Sequence, residues 1–357
     1  MATVLKSDNV ATNYIADISG IKDTDYLLSA DFTAQKYKFN GLSAALSDVI
    51  TYTRANTGYQ IENGVIQTLE ANVPIFNDPT TGERGLWSAA TMGNAIGNGI
   101  CNTNKTVTHT TPERIGAIFN LQVFGSGSVT VSGDVELVDS TFTATEARMI
   151  RYRTKANASD STKSIVNFTV SGSVIHYQTA RDAPHSYNHP TLTTVNKPTV
   201  VVKQSVVDLL KTKSEFTVLL RMKPALKSTP VVPLGLFEIT SDQNHIYGIA
   251  NPKGDISIGA SDGANSAWGS PDAPAENKDT VMAIKYSNSK MQAFRDGIKV
   301  LEKTGNAASV LSAIQIFATN KYVSGRNQFA GLLKNVIIYD KALTDSDLVK
   351  LSQSFKW

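Results

Sequence analysis

The chain reads as a mainly β protein: an extended N-terminal arm followed by two antiparallel β-sandwiches of jelly-roll type. Three observations predict this. Apolar and polar residues alternate over short runs, the period of strands with one buried face. Gly, Ser, Asn and Asp separate the runs, and turns demand those residues. The pattern stops at ARDAPHSYNHPTLTTVNKP, which holds three prolines and no periodicity, and restarts beyond it. Such a break separates two hydrophobic cores. The resulting division is an arm over residues 1–59, a first sandwich with its linker over 60–190, and a second sandwich over 191–357.

At 357 residues the chain is long enough for two cores, and with 41% hydrophobic and 18% charged residues it can bury them. The formal net charge is only +3 and the basic residues are scattered, which argues against a nucleic-acid partner. The densest basic stretch is RMIRYRTK, with Arg148 followed by Arg151, Arg153 and Lys155. The last three alternate and share one strand face. A solvated face and a surface for an acidic partner both fit that pattern. Cys101 is the single cysteine, so no intrachain disulfide forms, and it reads as a small, partly buried apolar residue. No apolar run is long enough to span a bilayer, so no membrane insertion is expected. The opening MATVLKSDNVATNYIADISG lacks the apolar stretch of a secretory signal, which points to synthesis in a cytoplasm.

Within the arm, residues 1–45 are polar and weakly patterned, and LSAALSDVI suits one or two helical turns. In VITYTRANTGYQIENGVIQTL, Asn63-Gly64 between two apolar runs predicts a hairpin with a two-residue turn. IFNDPTTGERGLW carries a turn at Asp78-Pro79 and Gly82. The first sandwich is clearest in RIGAIFNLQVF, where Ile115, Ala117, Phe119, Leu121 and Val123 share a face. VTVSGDVELV does the same with Val129, Val131, Val135 and Leu137, and SIVNFTVSGSVIHY adds a turn or bulge at Gly172. The second sandwich is built from TVVVKQSVVDLL, EFTVLLRMKP, IYGIA, DISIGA, TVMAIKYS, KMQAFRDGIKV, AIQIFA and LLKNVIIYD, read as eight strands. The chain then closes with a short helix. Thr344 is a good N-cap, Asp345 and Asp347 suit the positive end of the helix dipole, and Leu348 and Leu351 form the buried face.

That ending carries a resemblance. Phe329, Gly331, Val336, Tyr339, Asp340, Leu343 and Asp345 follow, in order, the closing motif of laminin-G-like domains of the concanavalin A-like lectin/glucanase type. MQAFRDGIKV, with its turn at Asp296-Gly297, and SEFTVLLRMKP are similar to other strands of that family. A second resemblance lies upstream. Thr53-Arg54-Ala55, Pro74, Phe76, Asp78-Pro79, Thr81 and Gly82 follow a segment that recurs in tail, fibre and head-spike proteins of tailed bacteriophages. In those proteins a carbohydrate-binding-module-like sandwich and a linker with a tyrosine follow, to which residues 112–190 and Tyr187 are similar. GLW replaces the longer closing strand of the phage segment. The two resemblances imply a structural virion protein, such as a fibre, tail appendage or head decoration. They imply an arm that attaches to other virion proteins, a homo-oligomer such as a trimer, and lectin-like domains held out toward host-surface glycans.

Catalytic constellations are not evident, and a non-enzyme is expected. Glucanases of the jelly-roll fold need facing carboxylates. Asp134 and Glu136 are the nearest pair, and a solvated strand face explains them as well. His185 and His189 in HSYNHP have a metal-compatible spacing but no acidic or cysteine neighbours. Gly254 and Gly263 belong to no phosphate-binding loop. The residues alone require no cofactor. The resemblance raises calcium, with Asp242, Asp255 and Asp262 as candidate ligands, although such a site needs several converging oxygens. For sugar binding the candidates are Trp268, in SDGANSAWGSPD, with Asp262, Asn265 and Asp272 beside it, and Tyr247. Tyr322 is a weaker version of the same idea. Two rival readings stand beside glycan attachment: a purely architectural virion protein that binds no glycan, and a glycan hydrolase.

Overall fold

The computed structural model describes residues 26–55, 58–62, 65–78, 82–88, 92–93, 96, 101–138, 149–181, 194–195, 198–224, 231–237, 244–250, 256–262, 266–269, 279–288, 290–304, 313–316 and 331–354. It is a mainly β protein of antiparallel sheets that divides into two compact units. Unit 1 takes residues 1–52, 199–329 and 333–357, and unit 2 takes 53–198 with 330–332.

Unit 1 begins with β1 (Leu28–Asp31), β2 (Lys36–Phe39), β3 (Leu42–Ala44), the single helical turn α1 (Leu46–Val49) and β4 (Ile50–Thr53). Residues 26–53 therefore contribute strands to both sheets of the unit, β1–β3 to one and β4 to the other, and are not the extended arm that their composition suggests. The strands are three or four residues long, too short to display an alternation. The turn between β2 and β3 is Asn40-Gly41, both with positive φ (49° and 75°), the two-residue turn a twisted hairpin prefers. Leu28, Ala30 and Phe32 have no exposed surface. The Asp31 carboxylate accepts from the Thr33 and Ala34 amides (2.9 and 3.0 Å) and stops the strand.

Unit 2 holds β5 (Gly58–Glu62), β6 (Val65–Leu69), β7 (Leu86–Ser88), β8 (Met92–Gly93), β9 (Lys105–His109), β10 (Ile118–Gly125), β11 (Ser128–Gly133) and β12 (Val135–Leu137). It continues with β13 (Met149–Thr154), β14 (Ser164–Ser171), β15 (Val174–Arg181) and β16 (Thr194–Val195). β5 and β6 form the hairpin predicted at Asn63-Gly64, with Glu62 opposite Val65. Arg54, 3% exposed, braces the next segment: its Nη2 donates to the carbonyls of Glu70 and Val73, each at 3.0 Å. The predicted turn at Asp78 closes when Gly82 N donates to Asp78 O at 2.8 Å. The sandwich sheets run β12-β13-β10-β15 and β11-β14-β9. They enclose Phe119, Leu121, Val123, Val129, Val131, Ile150, Tyr152, Val166, Phe168 and Tyr177. Ala117 and Val135 pack against this core from its margin, and Leu137 is 53% exposed at the sheet edge. Cys101, expected to be partly buried, is buried in the core.

The chain re-enters unit 1 with β17 (Thr199–Val202), α2 (Gln204–Lys211), β18 (Phe216–Pro224), β19 (Val231–Phe237), β20 (Asn244–Ala250), β21 (Ile256–Asp262) and β22 (Ser266–Gly269). It closes with β23 (Thr280–Ser287), β24 (Lys290–Arg295), β25 (Ile298–Thr304), β26 (Ala313–Ile316), β27 (Gly331–Tyr339) and α3 (Asp345–Ser354). One sheet runs β25-β24-β23-β18-β27-β1-β2-β3 and the other β22-β21-β20-β19-β26-β17-β4. Because β4 and β17 are neighbours in one sheet, unit 2 is a guest inserted between adjacent strands of unit 1; Lys203 N donates to Val49 O at 3.0 Å beside the junction. The stretch QSVVDLL, expected to prolong a strand, is helix α2. Val206, Val207 and Leu210 recur at helical spacing and are fully buried.

The closing helix forms as its capping residues dictate. Asp347 N donates to Thr344 Oγ1 at 3.1 Å, and Thr344 Oγ1 donates to Asp347 Oδ2 at 2.7 Å. Leu348 and Leu351 bury against Leu219, Ala283, Phe294, Ile337 and Tyr339, a contribution of about 1.5–3 kcal/mol for each leucine. The Lys285 ammonium, 8% exposed, pairs with Asp345 in the first turn. The β24–β25 turn is Asp296-Gly297, with φ of 50° and 82°. A Cβ at Gly297 would lie 3.0 Å from Val349 Cα, so the helix needs a glycine beneath it.

Candidate functional site

The second sheet of unit 1 supplies the site, because its two faces differ. On β17, Val200 and Val202 are buried while Thr199 and Val201 are partly exposed, which fixes the inward face. Cross-strand register carries that distinction along the sheet. One inward row runs from Val200 through Ile316, Leu234, Gly248 and Ile258 to Gly269. The next holds Ile314, Leu236, Ile246, Ala260 and Ala267. Every member of both rows is apolar, as a sandwich interior requires.

The rows of the other face are different in kind. Val201, Gln315, Gly235, Tyr247, Gly259 and Trp268 stand opposite one another across six strands. Beside them run Ala313, Phe237, His245, Ser261 and Ser266. By parity these rows combine aromatic, hydroxyl and amide residue types with glycines, types that sugar recognition also uses; on β26, Gln315 and Ala313 of these rows are buried.

Tyr247 and Trp268, predicted separately, thus fall in one row with Gly259 between them. Trp268 lies in strand β22 and not in the loop expected for SDGANSAWGSPD. Asp262 ends β21 opposite Asn244, on the parity of Ile258 and Ala260, so the backbone does not group it with Tyr247 and Trp268. Asn265, Asp272 and Tyr322 lie outside the described residues, as do the calcium candidates Asp242 and Asp255 and the pair His185 and His189. Sequence reading missed Gly235 and Gly259. The alternation Ile256-Ser257-Ile258-Gly259-Ala260-Ser261 signals a two-faced strand, but only the register shows what each face aligns with.

The remaining candidates have structural duties. Glu136 is paired with Arg153 (2.6 Å) and Lys155 (3.2 Å), and these contacts, Lys155 first, hold its carboxyl below the usual range. Two of the three alternating basic residues, Arg153 and Lys155, thus share one carboxylate. Asp134 accepts from Asn157 Nδ2 and from the Ile165 amide, each at 2.8 Å, and ties a loop to a strand. In unit 1, Asp279 sits between Arg221 and Lys334, the latter 2.7 Å away. Burial alone would raise its pKa; the two cations outweigh that and keep it low. Among the described residues no group of three or more His, Cys, Asp or Glu side chains could hold a metal ion.

Residues 197–349 match the family model described as the concanavalin A-like lectin/glucanases superfamily. This segment is a laminin-G-like lectin domain. Of its strands, β17, β19–β22 and β26 belong to the two-faced sheet. No curated protein matches the chain. Similar solved structures include the CBM40 module of a Ruminococcus gnavus IT-sialidase bound to α2,3-sialyllactose, at 16% identity over 42% of this chain and 89% of that one, TM-score 0.35. A heptameric pentraxin from Limulus polyphemus is similar at 13% identity over 39% of this chain and 70% of that one, TM-score 0.33. A leech intramolecular trans-sialidase is similar at 17% identity over 42% of this chain and 25% of that one, TM-score 0.34.

Proposed function

We propose that the chain is a non-enzymatic structural component of a tailed-bacteriophage virion, a fibre, tail appendage or head decoration, whose lectin domain binds host-surface glycans weakly and in many copies. The observation that carries the glycan reading is the polar, aromatic face of the lectin domain, with Tyr247 and Trp268 in one row. The virion reading is supported by the Thr53-Arg54-Ala55 to Gly82 segment. Within that segment Arg54 donates to the Glu70 and Val73 carbonyls and Gly82 N to Asp78 O, so these positions of the motif have structural duties.

In this reading the N-terminal residues attach to other virion proteins, the chain forms a homo-oligomer such as a trimer, and the protein is made in the bacterial cytoplasm and resides in the particle. Weak sites gain avidity by repetition: once one copy is engaged, the others see their ligand at a high effective concentration. Trp268→Ala on intact particles is the test. Host adsorption should fall steeply while particle yield and melting temperature stay unchanged. Unchanged adsorption by stable variant particles favours the purely architectural reading, and sugar release from host polysaccharide favours a hydrolase.

A further inference from the structure

In unit 2 the sheet β12-β13-β10-β15 ends at β15, and the outer edge of that strand is covered. Residues 101–104 run beside it as a strap, outside any strand. Tyr177 N donates to Cys101 O at 2.8 Å, and the Tyr177 hydroxyl donates to Thr103 O at 2.9 Å. A third attachment is different in kind: Cys101 N donates to Nδ1 of His176 at 3.0 Å. A backbone amide can only donate, so this bond exists only while Nδ1 carries no proton and the ring is neutral. His176 has no exposed surface and Cys101 is 7% exposed, so losing the bond leaves a buried amide without its acceptor.

We propose that His176 is a proton-operated latch: a proton taken up at Nδ1 turns the acceptor into a second donor facing the Cys101 amide, the strap lifts, and the edge of β15 opens. Burial keeps the ring neutral at ordinary pH by lowering its pKa to about 4, and a hydrogen bond with the Gln178 side chain opposes that shift. The titratable neighbours on the strap and on β15 do not charge in acid, because burial raises the pKa of both the Cys101 thiol and the Tyr177 hydroxyl. β10 pairs with this part of β15 through Gln122, Val123 and Phe124, none of which titrates. Lys105, the cation at the foot of the strap, donates to Ile96 O at 2.6 Å. Once released, the histidine titrates near its ordinary value of about 6.5. The closed form is therefore fully favoured above that value and loses ground as the pH falls toward 4. An open β15 edge presents unpaired backbone groups that another strand can join. The latch is independent of the glycan reading and holds whether or not a sugar is bound.

The test uses the full chain, with its single cysteine as the reporter. Labelling of Cys101 by dithiodipyridine, a reagent that still reacts in acid, is measured at pH 7.5 and pH 4.5 relative to free cysteine. The relative rate should rise by about tenfold or more at the lower pH while far-ultraviolet circular dichroism holds. Hydrogen exchange under the same conditions should show the Cys101 and Tyr177 amides losing protection and the amides between β10 and β13 keeping theirs. His176→Asn places a carbonyl oxygen close to where Nδ1 stands and cannot take up a proton. It should abolish the acid step and keep Cys101 shielded at both pH values. If that variant does not fold, the exchange pattern of the parent chain decides. An equal relative rate at both pH values overturns the latch, as does an acid step that persists in folded His176→Asn. Protection lost from β10 and β13 together with the strap also overturns it, since that is unfolding of the whole unit.

Discussion

The two units bury different kinds of polar chemistry, and that difference predicts how each fails. Unit 1 buries two lysines and pairs both: Lys285 with Asp345, and Lys334 with Asp279, which also meets Arg221. Unit 2 buries Arg54 against backbone carbonyls, and it also hides two imidazoles and a pair of amides. His109 is 2% exposed and stacks on Phe119, His176 has no exposed surface, and Gln178 Nε2 donates to Gln122 Oε1 at 2.8 Å. Charged pairs keep their partners across a wide pH range, whereas buried neutral imidazoles do not. The host unit should therefore resist acid and the inserted guest should not.

The largest effect expected sharpens that comparison from the side of unit 1. β1 lies between β27 and β2, with Leu28 opposite Ile338 and Ala30 opposite Val336. Ala30→Pro removes an interior donor and should cost unit 1 about 3 kcal/mol or more. A fragment starting at residue 197 lacks β1 to β4 altogether and should not melt cooperatively, whereas one starting at residue 26 should. Calorimetry should show the unit 1 transition lowered in the proline variant and the unit 2 transition unmoved. A normal cooperative melt of the 197–357 fragment would show that the N-terminal strands are dispensable.

The next effect is acid lability of unit 2. Burial lowers the pKa of His176 to about 4 and also lowers that of His109, where the nearby Arg114 charge adds to it. A depressed histidine binds its proton in the unfolded chain first. Stability is thus full above the unfolded pKa near 6.5 and falls as the pH drops toward 4, by about 3 kcal/mol for His176 alone. Chemical denaturation followed at pH 7.5 and pH 4.5 should show the guest unit losing stability selectively. Equal losses in both units would erase the distinction.

Smaller effects mark the edges of the comparison. Thr344→Ala should cost unit 1 about 1 kcal/mol through its lost helix cap and leave unit 2 alone. Glu136→Gln, in an exposed ion pair, should leave unit 2 within about 0.5 kcal/mol of the parent. A larger loss on that substitution would mean that the basic strand face is more tightly organised than its exposure implies.

How much of this was legible in the sequence depends on the range of the signal. Asp296-Gly297 and Asn63-Gly64 announce hairpins because two residues decide the turn. Thr344 announces a helix because the cap is local. The first sandwich shows its alternation because its central strands run to eight residues. The strands before it were hidden. β1 to β4 are short, and their partners β27 and β17 lie far along the chain, so an inserted guest unit looks like a plain succession of arm, sandwich and sandwich. At the candidate site, the aromatic residue types drew attention to Tyr247 and Trp268. Their shared row, and the glycines between the bulky positions, are properties of register across strands, which no single strand encodes. Asp262 was grouped with Trp268 by nearness in sequence, and the parity of β21 separates them.

The most direct test of the account is calorimetry of the full chain with and without a saturating glycan chosen from array binding. A ligand held by the lectin sheet stabilises only the unit that binds it, by about 2.7 kcal/mol at a hundredfold excess over Kd. The account predicts that the unit 1 transition rises, the unit 2 transition stays in place, and Trp268→Ala removes the rise. A shift confined to unit 2, or an unaltered thermogram with every glycan tried, would contradict it.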